Sequence, residues 1–395
     1  MRRQLPAHSP LALGALLGAA GAAVASQDGV GDVLRDYLTD RFDARSTYLV
    51  GSGTQALQAA ISSAAQAMDS SLVAVPAYSC FDIVTAAVGA ECSMVFYDID
   101  PATLTPDLDT VRDALTRGPC ALVVNSLNGF PIQWPDLRSL CQTAGVVLIE
   151  DAAQGSGGGW DGAEAGTFGD FTVLSFGRGK GWTGGGGGAL LERGPSPVLD
   201  RLLPPLRESS LGARSLVMSV AQWLLSRPSL FGIPAAIPAL HVGETHYHDP
   251  GPIEAMDTIS AAVVMRHAPR IPVEIAARKR NAATWRALLS GRPGLRSVTP
   301  LSEDSCGYLR FPIVPDADVG ERLASDRGVR AGVAPGYPRI LPELDAAQGR
   351  HVSDGDWPGA RLLAQRLLTL PTHSMIRPRD VKTIDGLLND RAASP

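Results

Sequence analysis

Tyr48-Leu-Val-Gly51-Ser-Gly53-Thr54-Gln55-Ala-Leu57 reads as a short apolar strand that breaks on glycine and turns directly into a helix. That helix is Ala-rich and continues to about Met68. Downstream the alternation repeats: Leu72-Val-Ala-Val75, Ser93-Met-Val-Phe-Tyr97, Ala121-Leu-Val-Val124 and Val146-Val-Leu-Ile149 are apolar runs of strand length, with helical segments between most of them. Near-continuous apolar strands separated by helices predict an α/β fold with a mostly parallel sheet covered on both faces. Phe171-Thr-Val-Leu-Ser175 and Gly188-Ala-Leu-Leu191 read as two further strands, flanking a glycine-rich loop.

Beyond this sheet the pattern changes. Pro204, Pro205, Pro228, Pro234 and Pro238 break residues 195–255 into shorter helices. Ile253 to about Leu289 reads as a longer helical stretch, interrupted near Pro269 and Pro272. After Gly291 a smaller α+β portion is expected, with Leu309-Arg-Phe-Pro-Ile-Val314 as a strand and Gly359 to Leu368 as a helix. The division that follows is a large domain over 1–250, a connecting helical segment over 251–290 and a small C-terminal domain over 291–395.

Composition restricts the function classes. With 45% apolar and 19% charged residues, a chain of 395 residues can bury a substantial core. A formal charge of -5 on mixed acidic and basic segments gives no polyanion surface, so no nucleic-acid partner is expected. Cys80, Cys92, Cys120, Cys141 and Cys306 form an odd set without CxxC spacing, which points to a reducing compartment. His241, His246 and His248 lack acidic or cysteine companions at familiar spacing, and no metal is expected. Arg2 and Arg3 before the apolar stretch Leu11 to Ala25 have the outline of a signal peptide. That stretch is short and rich in Gly and Ala for a membrane span, and helical spacing continues beyond it. We read it as an N-terminal helix packed in the fold of a cytoplasmic protein, with no membrane partner.

Three lysines stand against thirty-two arginines, and one of them, Lys180, lies in Ser175-Phe-Gly-Arg-Gly-Lys180-Gly-Trp-Thr-Gly-Gly-Gly-Gly-Gly188. Lysine can form a Schiff base and arginine cannot, so the exception points to covalent chemistry. Asp151 follows the strand ending at Ile149, at the end of a parallel sheet where open α/β folds bind ligands. A buried acid there could hold a heteroaromatic nitrogen protonated. Gly53 and Thr54 open a helix whose free N–H groups can bind a phosphate dianion, although Rossmann spacing is absent. Ser175 could add a hydroxyl to that contact. A nucleotide loop built on Lys180 is excluded because Gly181 follows the lysine and Leu174 stands where the opening glycine is needed.

Taken in order, these stretches resemble the fold-type I pyridoxal-phosphate enzymes, and within them the DegT/DnrJ/EryC1/StrS family of sugar aminotransferases. The matching segments are Gly53-Thr54-Gln-Ala-Leu57, Val75-Pro-Ala-Tyr-Ser-Cys80, Ile149-Glu-Asp-Ala-Ala-Gln154, Gly169-Asp-Phe-Thr-Val-Leu-Ser-Phe176 leading to Lys180, and Leu370-Pro-Thr-His373. The resemblance implies a large domain with a mostly parallel seven-stranded sheet, a smaller C-terminal domain, and a homodimer with shared active sites. It implies that Lys180 is the Schiff-base lysine and that Asp151 partners the pyridine nitrogen. Gln154 would lie near the cofactor's phenolic oxygen, and Gly53, Thr54, Gln55 and Ser175 would hold its phosphate.

Departures from the family pattern fall on the substrate side. Cys80 stands where the family carries a ring-stacking aromatic, with Tyr78 and Phe81 as neighbouring substitutes. Gly243-Glu-Thr245-His246-Tyr247 replaces the family's Gly-x-Asn-x-Arg segment, and Asn125-Ser-Leu-Asn128-Gly129 has Ser126 where histidine is frequent. Asn128, Thr245, His246 and Tyr247 are therefore candidates for substrate or subunit contact. The resemblance implies amino transfer from an amino acid, usually glutamate, to the keto group of a nucleotide-linked sugar. Another pyridoxal-phosphate reaction, transamination of a non-sugar ketone, and a non-catalytic binding protein remain as alternatives.

Overall fold

The computed structural model describes residues 2–25, 29–194, 212–232, 245–352 and 355–389. Nine strands belong to the first part of the chain: β1 (Ser46–Val50), β2 (Leu72–Pro76), β3 (Ser93–Tyr97), β4 (Ala121–Asn125), β5 (Val147–Asp151), the hairpin β6 (Gly159–Trp160) and β7 (Ala163–Glu164), β8 (Phe171–Ser175) and β9 (Gly188–Glu192). Seven of them form one sheet in the order β1-β9-β8-β5-β4-β2-β3, in which only β9 runs against the others. Every residue of β4 is buried, as a strand covered on both faces requires. The chain steps from β2 outward to β3 and then returns to β4 on the other side of β2, so a topological switch point lies where β2 and β4 end.

The Ala-rich helix Gly53–Met68 lies against this sheet. Ala56, Ala59, Ala60 and Ala64 are fully buried, and side chains this small let the helix approach β8 and β9 closely. Ser52 is extended and its Oγ accepts from Gln55 N at 3.2 Å, which caps the helix; Asp69 in the left-handed region ends it.

A second, antiparallel sheet has the order β10 (Leu295–Ser297), β11 (Phe311–Pro315), β13 (Leu368–Leu370) and β12 (Ala334–Pro335). The helix Ile271–Leu289 joins the two parts: Trp285 Nε1 donates to Pro371 O at 2.6 Å and Asn281 Nδ2 donates to Thr372 O at 2.7 Å. The architecture is thus a large α/β domain with a smaller C-terminal α+β domain, the class expected from sequence.

Several boundaries differ from the sequence reading. Residues 253–257 are not helical, because Val50 bridges Ala255 and Asp257 caps the helix Thr258–His267 by accepting from Ser260 N at 2.8 Å. Pro269 lies in a 3-10 turn before the next helix. Near the C-terminus the helix is Pro358–Arg366, and Leu368 opens β13 instead. Leu309 is outside β11 because its N–H donates to Asn128 O at 2.8 Å, in the other domain.

The N-terminal segment is packed, as expected. Leu16 and Ala19 of the helix Leu13–Ala25 are buried against Ile259, Ala262 and Val263. Arg2 pairs with Asp380, His373 Nε2 donates to Leu5 O at 2.9 Å, and Ala12 N donates to His267 Nε2 at 2.9 Å. No described helix is long and apolar enough to cross a membrane.

Candidate active site

The carboxyl ends of β2, β4, β5 and β8 converge on one cleft. Asn125 and Asp151 are register partners on β4 and β5, so their side chains leave the sheet on the same face. Asn125 Nδ2 donates to Ser79 Oγ at 2.8 Å across the switch point, while its buried Oδ1 has no hydrogen-bond partner among the described residues. Asp151 Oδ1 accepts from Ala153 N at 3.0 Å. Burial lifts the Asp151 pKa above the usual carboxylate value; the charge of Lys180 opposes the shift and that of Asp82 adds to it. Asp151, Asp82 and Lys180 therefore share one electrostatic neighbourhood.

Lys180 lies in the loop between β8 and β9 and lines a small cavity with Ser156 and Ser175. Cys80 faces the same region: its thiol donates to Asp82 Oδ2 at 3.3 Å, and burial pushes its pKa up to about 12, so it is a neutral S–H. The lysine loop is pinned from outside by Gly181 N, which donates to Ser9 Oγ at 3.2 Å.

The phosphate end is built by close approach. A Cβ on Gly53 would lie 2.7 Å from Ser175 Cβ and 2.9 Å from Ser175 Oγ, so glycine brings the helix start onto the end of β8. The Thr54 and Ser175 hydroxyls have no partner among the described residues. Gln55 is placed differently from the expectation of a phosphate ligand. Its side chain turns back, Oε1 accepting from Gly51 N and Glu254 N, both at 3.1 Å.

Gln154 is also engaged by protein. Its Oε1 accepts from Asn128 N at 3.0 Å and its Nε2 donates to Tyr337 OH at 2.7 Å. Asn128 has a φ of 54°, a left-handed conformation that asparagine tolerates better than most residues. Tyr78 is fully buried and turns to the small domain, its OH accepting from Tyr337 N at 2.8 Å. Phe81 is buried with its ring 6.4 Å from that of Tyr337. Thr245 is half-buried and His246 exposed, and Tyr247 packs on the core of its own chain. Gly243, Glu244, His241, Pro204, Pro205, Pro234 and Pro238 lie outside the described residues.

Sequence reasoning missed Asn125 and Tyr337, which bond to Ser79 and Gln154. The residues present fit pyridoxal phosphate: a helix start with two free hydroxyls for the phosphate, an acid with a neighbouring orphaned acceptor at the far end, and an amine between them.

A model of the DegT/DnrJ/EryC1/StrS aminotransferase family matches residues 34–388. An L-glutamine:2-deoxy-scyllo-inosose aminotransferase of Streptomyces kanamyceticus is 39% identical over 120 residues, 30% of this chain and 28% of that protein. A dTDP-4-dehydro-2,3,6-trideoxy-D-glucose 4-aminotransferase of Saccharopolyspora spinosa is 25% identical over 312 residues, 79% of this chain and 76% of that one. The sugar aminotransferase CalS13 from Micromonospora echinospora shares the fold, with a TM-score of 0.74 at 19% identity, covering 99% of this chain and 100% of the other.

Proposed function

Because the chain belongs to the DegT/DnrJ/EryC1/StrS aminotransferase family, whose members use pyridoxal phosphate, we propose that it moves an amino group from glutamate or glutamine to the keto group of a nucleotide-linked sugar. The convergence of Asp151, Lys180 and the Gly53–Ser175 junction in one cleft carries this reading. The dTDP-linked keto sugar in the name of the Saccharopolyspora spinosa relative supports the acceptor class.

When bound, pyridoxal phosphate supplies an electron sink for the donor's α-carbon. Thr54 and Ser175 would hold the phosphate at the helix start, where unpaired N–H groups and the helix dipole favour a dianion. Asp151, acting through its charge, would hold the proton on the ring nitrogen. Lys180 Nζ would anchor the cofactor covalently and, once released, serve as the base for the donor α-proton. Gln154 acts at one remove, setting the positions of Asn128 and Tyr337. Cys80, with its thiol kept neutral, supplies a thin, polarisable contact beside the ring position.

A second reading follows from the stronger local identity to the inosose aminotransferase, and takes a cyclic ketone without a nucleotide as acceptor. We also propose a homodimer in the cytoplasm. Leu13 and Leu17 on one helix and Val217, Met218 and Leu224 on the helix Ala213–Leu225 expose apolar surface that a second copy would cover.

The test is direct. Cofactor-loaded protein reduced with borohydride should carry the cofactor's mass on Lys180, and Lys180→Ala should not. A donor that converts the cofactor to its amine form should then be discharged by a keto-sugar nucleotide. Discharge by an inosose alone would select the second reading, and failure of the wild-type protein to form the lysine adduct would sink both.

A further inference from the structure

A cavity of about 450 Å³ lies where three separate segments of the chain meet, within the range of about 300–1,000 Å³ that takes small molecules. Arg2 reaches it from the first residues of the chain, and Arg227 and Ser229 from the turn after the helix Ala213–Leu225. Ser374, Arg377 and Arg379 come from the start of the helix Pro378–Asn389 and the turn before it. Hydrogen bonds set the walls: Arg3 N donates to Pro228 O at 2.8 Å, and Gln4 Nε2 donates to Met375 O at 2.8 Å. The cavity shares no residue with the one beside Lys180.

Four arginines and, among the described residues, no carboxylate line this space. Arg2 is matched, its fork taken by the buried Asp380, whose Oδ2 also accepts from Gln4 Nε2 at 3.1 Å and from Arg377 N at 3.0 Å. Arg227, Arg377 and Arg379 are exposed and make no ion pair among the described residues. Arg227 is steadied by Trp223, its guanidinium carbon 4.2 Å from the ring centroid. Like charges gathered on one concave wall repel each other and focus their field on an anion that enters. A lone surface arginine is ordinary, but three unpaired ones brought to one cavity from two remote segments form a site for a multiply charged anion.

We propose that this cavity binds a small phosphate-bearing molecule, its phosphate oxygens held by Arg227, Arg377 and Arg379 with the Ser229 and Ser374 hydroxyls as further donors. Phosphate fits better than carboxylate because three forks converge, and a tetrahedral dianion can meet all three where one carboxylate has two oxygens. The volume leaves room for an organic remainder. Bound there, the anion ties the first residues of the chain to the two segments they cross. Those residues lead to Ser9, which accepts from Gly181 N beside Lys180, so occupation braces the lysine loop from outside the cleft. The site stands or falls independently of the amino-transfer reading.

Inorganic pyrophosphate and dTDP serve as probes, titrated by calorimetry into cofactor-loaded full-length protein at low ionic strength. Arg377→Gln/Arg379→Gln and, separately, Arg227→Gln should each lower pyrophosphate affinity about tenfold, the loss for hydrogen bonds to a charged group, and added salt should weaken wild-type binding. These side chains are exposed, so the variants should melt with wild type, and the two variants lie in different segments should either fail to fold. Arg112→Gln/Arg117→Gln removes the same charge elsewhere on the surface and should leave the affinity unchanged. Tighter binding of dTDP with the same dependence on the variants assigns the site to a nucleotide, and weaker binding assigns it to a phosphate without a base. Pyrophosphate should also slow limited proteolysis of the first residues in wild type and not in Arg377→Gln/Arg379→Gln; binding that leaves proteolysis unchanged overturns the brace. No binding to wild type, equal affinity for wild type and the site variants, or an equal loss in the Arg112→Gln/Arg117→Gln control overturns the site.

Discussion

Gly53→Ala tests the phosphate end of the site with a single methyl group. The added carbon would stand 2.7 Å from Ser175 Cβ and 2.9 Å from Ser175 Oγ, against an optimum of about 3.5–4.0 Å for carbon pairs. The helix start and the end of β8 must therefore part by roughly 1 Å, an overpacking that costs about 1–3 kcal/mol. Ser175 Oγ moves with its strand and loses its place beside the helix start. Losing one hydrogen bond to a charged phosphate is worth about 1.5–3 kcal/mol, so the cofactor dissociation constant should rise by about ten- to one-hundred-and-fifty-fold. The assay is titration of apoprotein with pyridoxal phosphate, followed by the absorbance of the lysine-bound form, with thermal melting alongside. Gly21→Ala is the control, since a Cβ there meets nothing within 4 Å; it should leave cofactor binding unchanged and add up to about 1 kcal/mol to stability. If Gly53→Ala melts early yet binds cofactor within about twofold of wild type, the phosphate does not lie at this helix start.

Asp151→Asn should retain the lysine adduct but lower the donor half-reaction rate by about a hundredfold to a thousandfold, measured in single turnover, as the ring nitrogen loses its charged partner. Glu150→Gln should destabilise the fold by about 3 kcal/mol in denaturant melts. The fully buried Glu150 accepts from Gly166 N, Phe168 N and Thr172 Oγ1 at 2.7, 2.8 and 3.1 Å, and an amide would turn a donor toward one of these N–H groups. Burial, reinforced by His8, holds the His373 pKa down to about 4, below its ordinary value of 6.5. A depressed folded pKa gives stability that is present above the unfolded value and is lost as pH falls toward the folded one. Between about pH 6.5 and pH 4 the hydrogen bond from His373 to Leu5 O should therefore come at a growing cost, and limited proteolysis of the first residues should accelerate over that window.

Local signals in the sequence account for much of this fold. The apolar runs that became β2, β4 and β5, the Ala-rich helix and the paired strands around the lysine loop all follow from patterning within a dozen residues. Lys180 and Asp151 stood out because residue type and strand position agreed. The family resemblance points Gln55 and Gln154 at the cofactor, and part of what holds them instead is remote in sequence: Glu254 and Tyr337 are 199 and 183 residues away. Distance also explains why Asn125 was passed over: its partner Ser79 reaches it only because β2 and β4 are neighbours. The end of the small-domain helix was set too late because Leu367 and Leu368 continue an apolar pattern that β13 takes over.

The bond from Gly181 to Ser9 has a consequence for folding. Ser9 belongs to a segment whose own anchors, Asp380 for Arg2 and His373 for Leu5, lie 378 and 368 positions further along the chain. The large sheet can assemble from contacts of much shorter separation before that strap closes over the lysine loop. Fixing of the lysine loop therefore waits on the most distant pairings in the chain, and loops of such length close slowly.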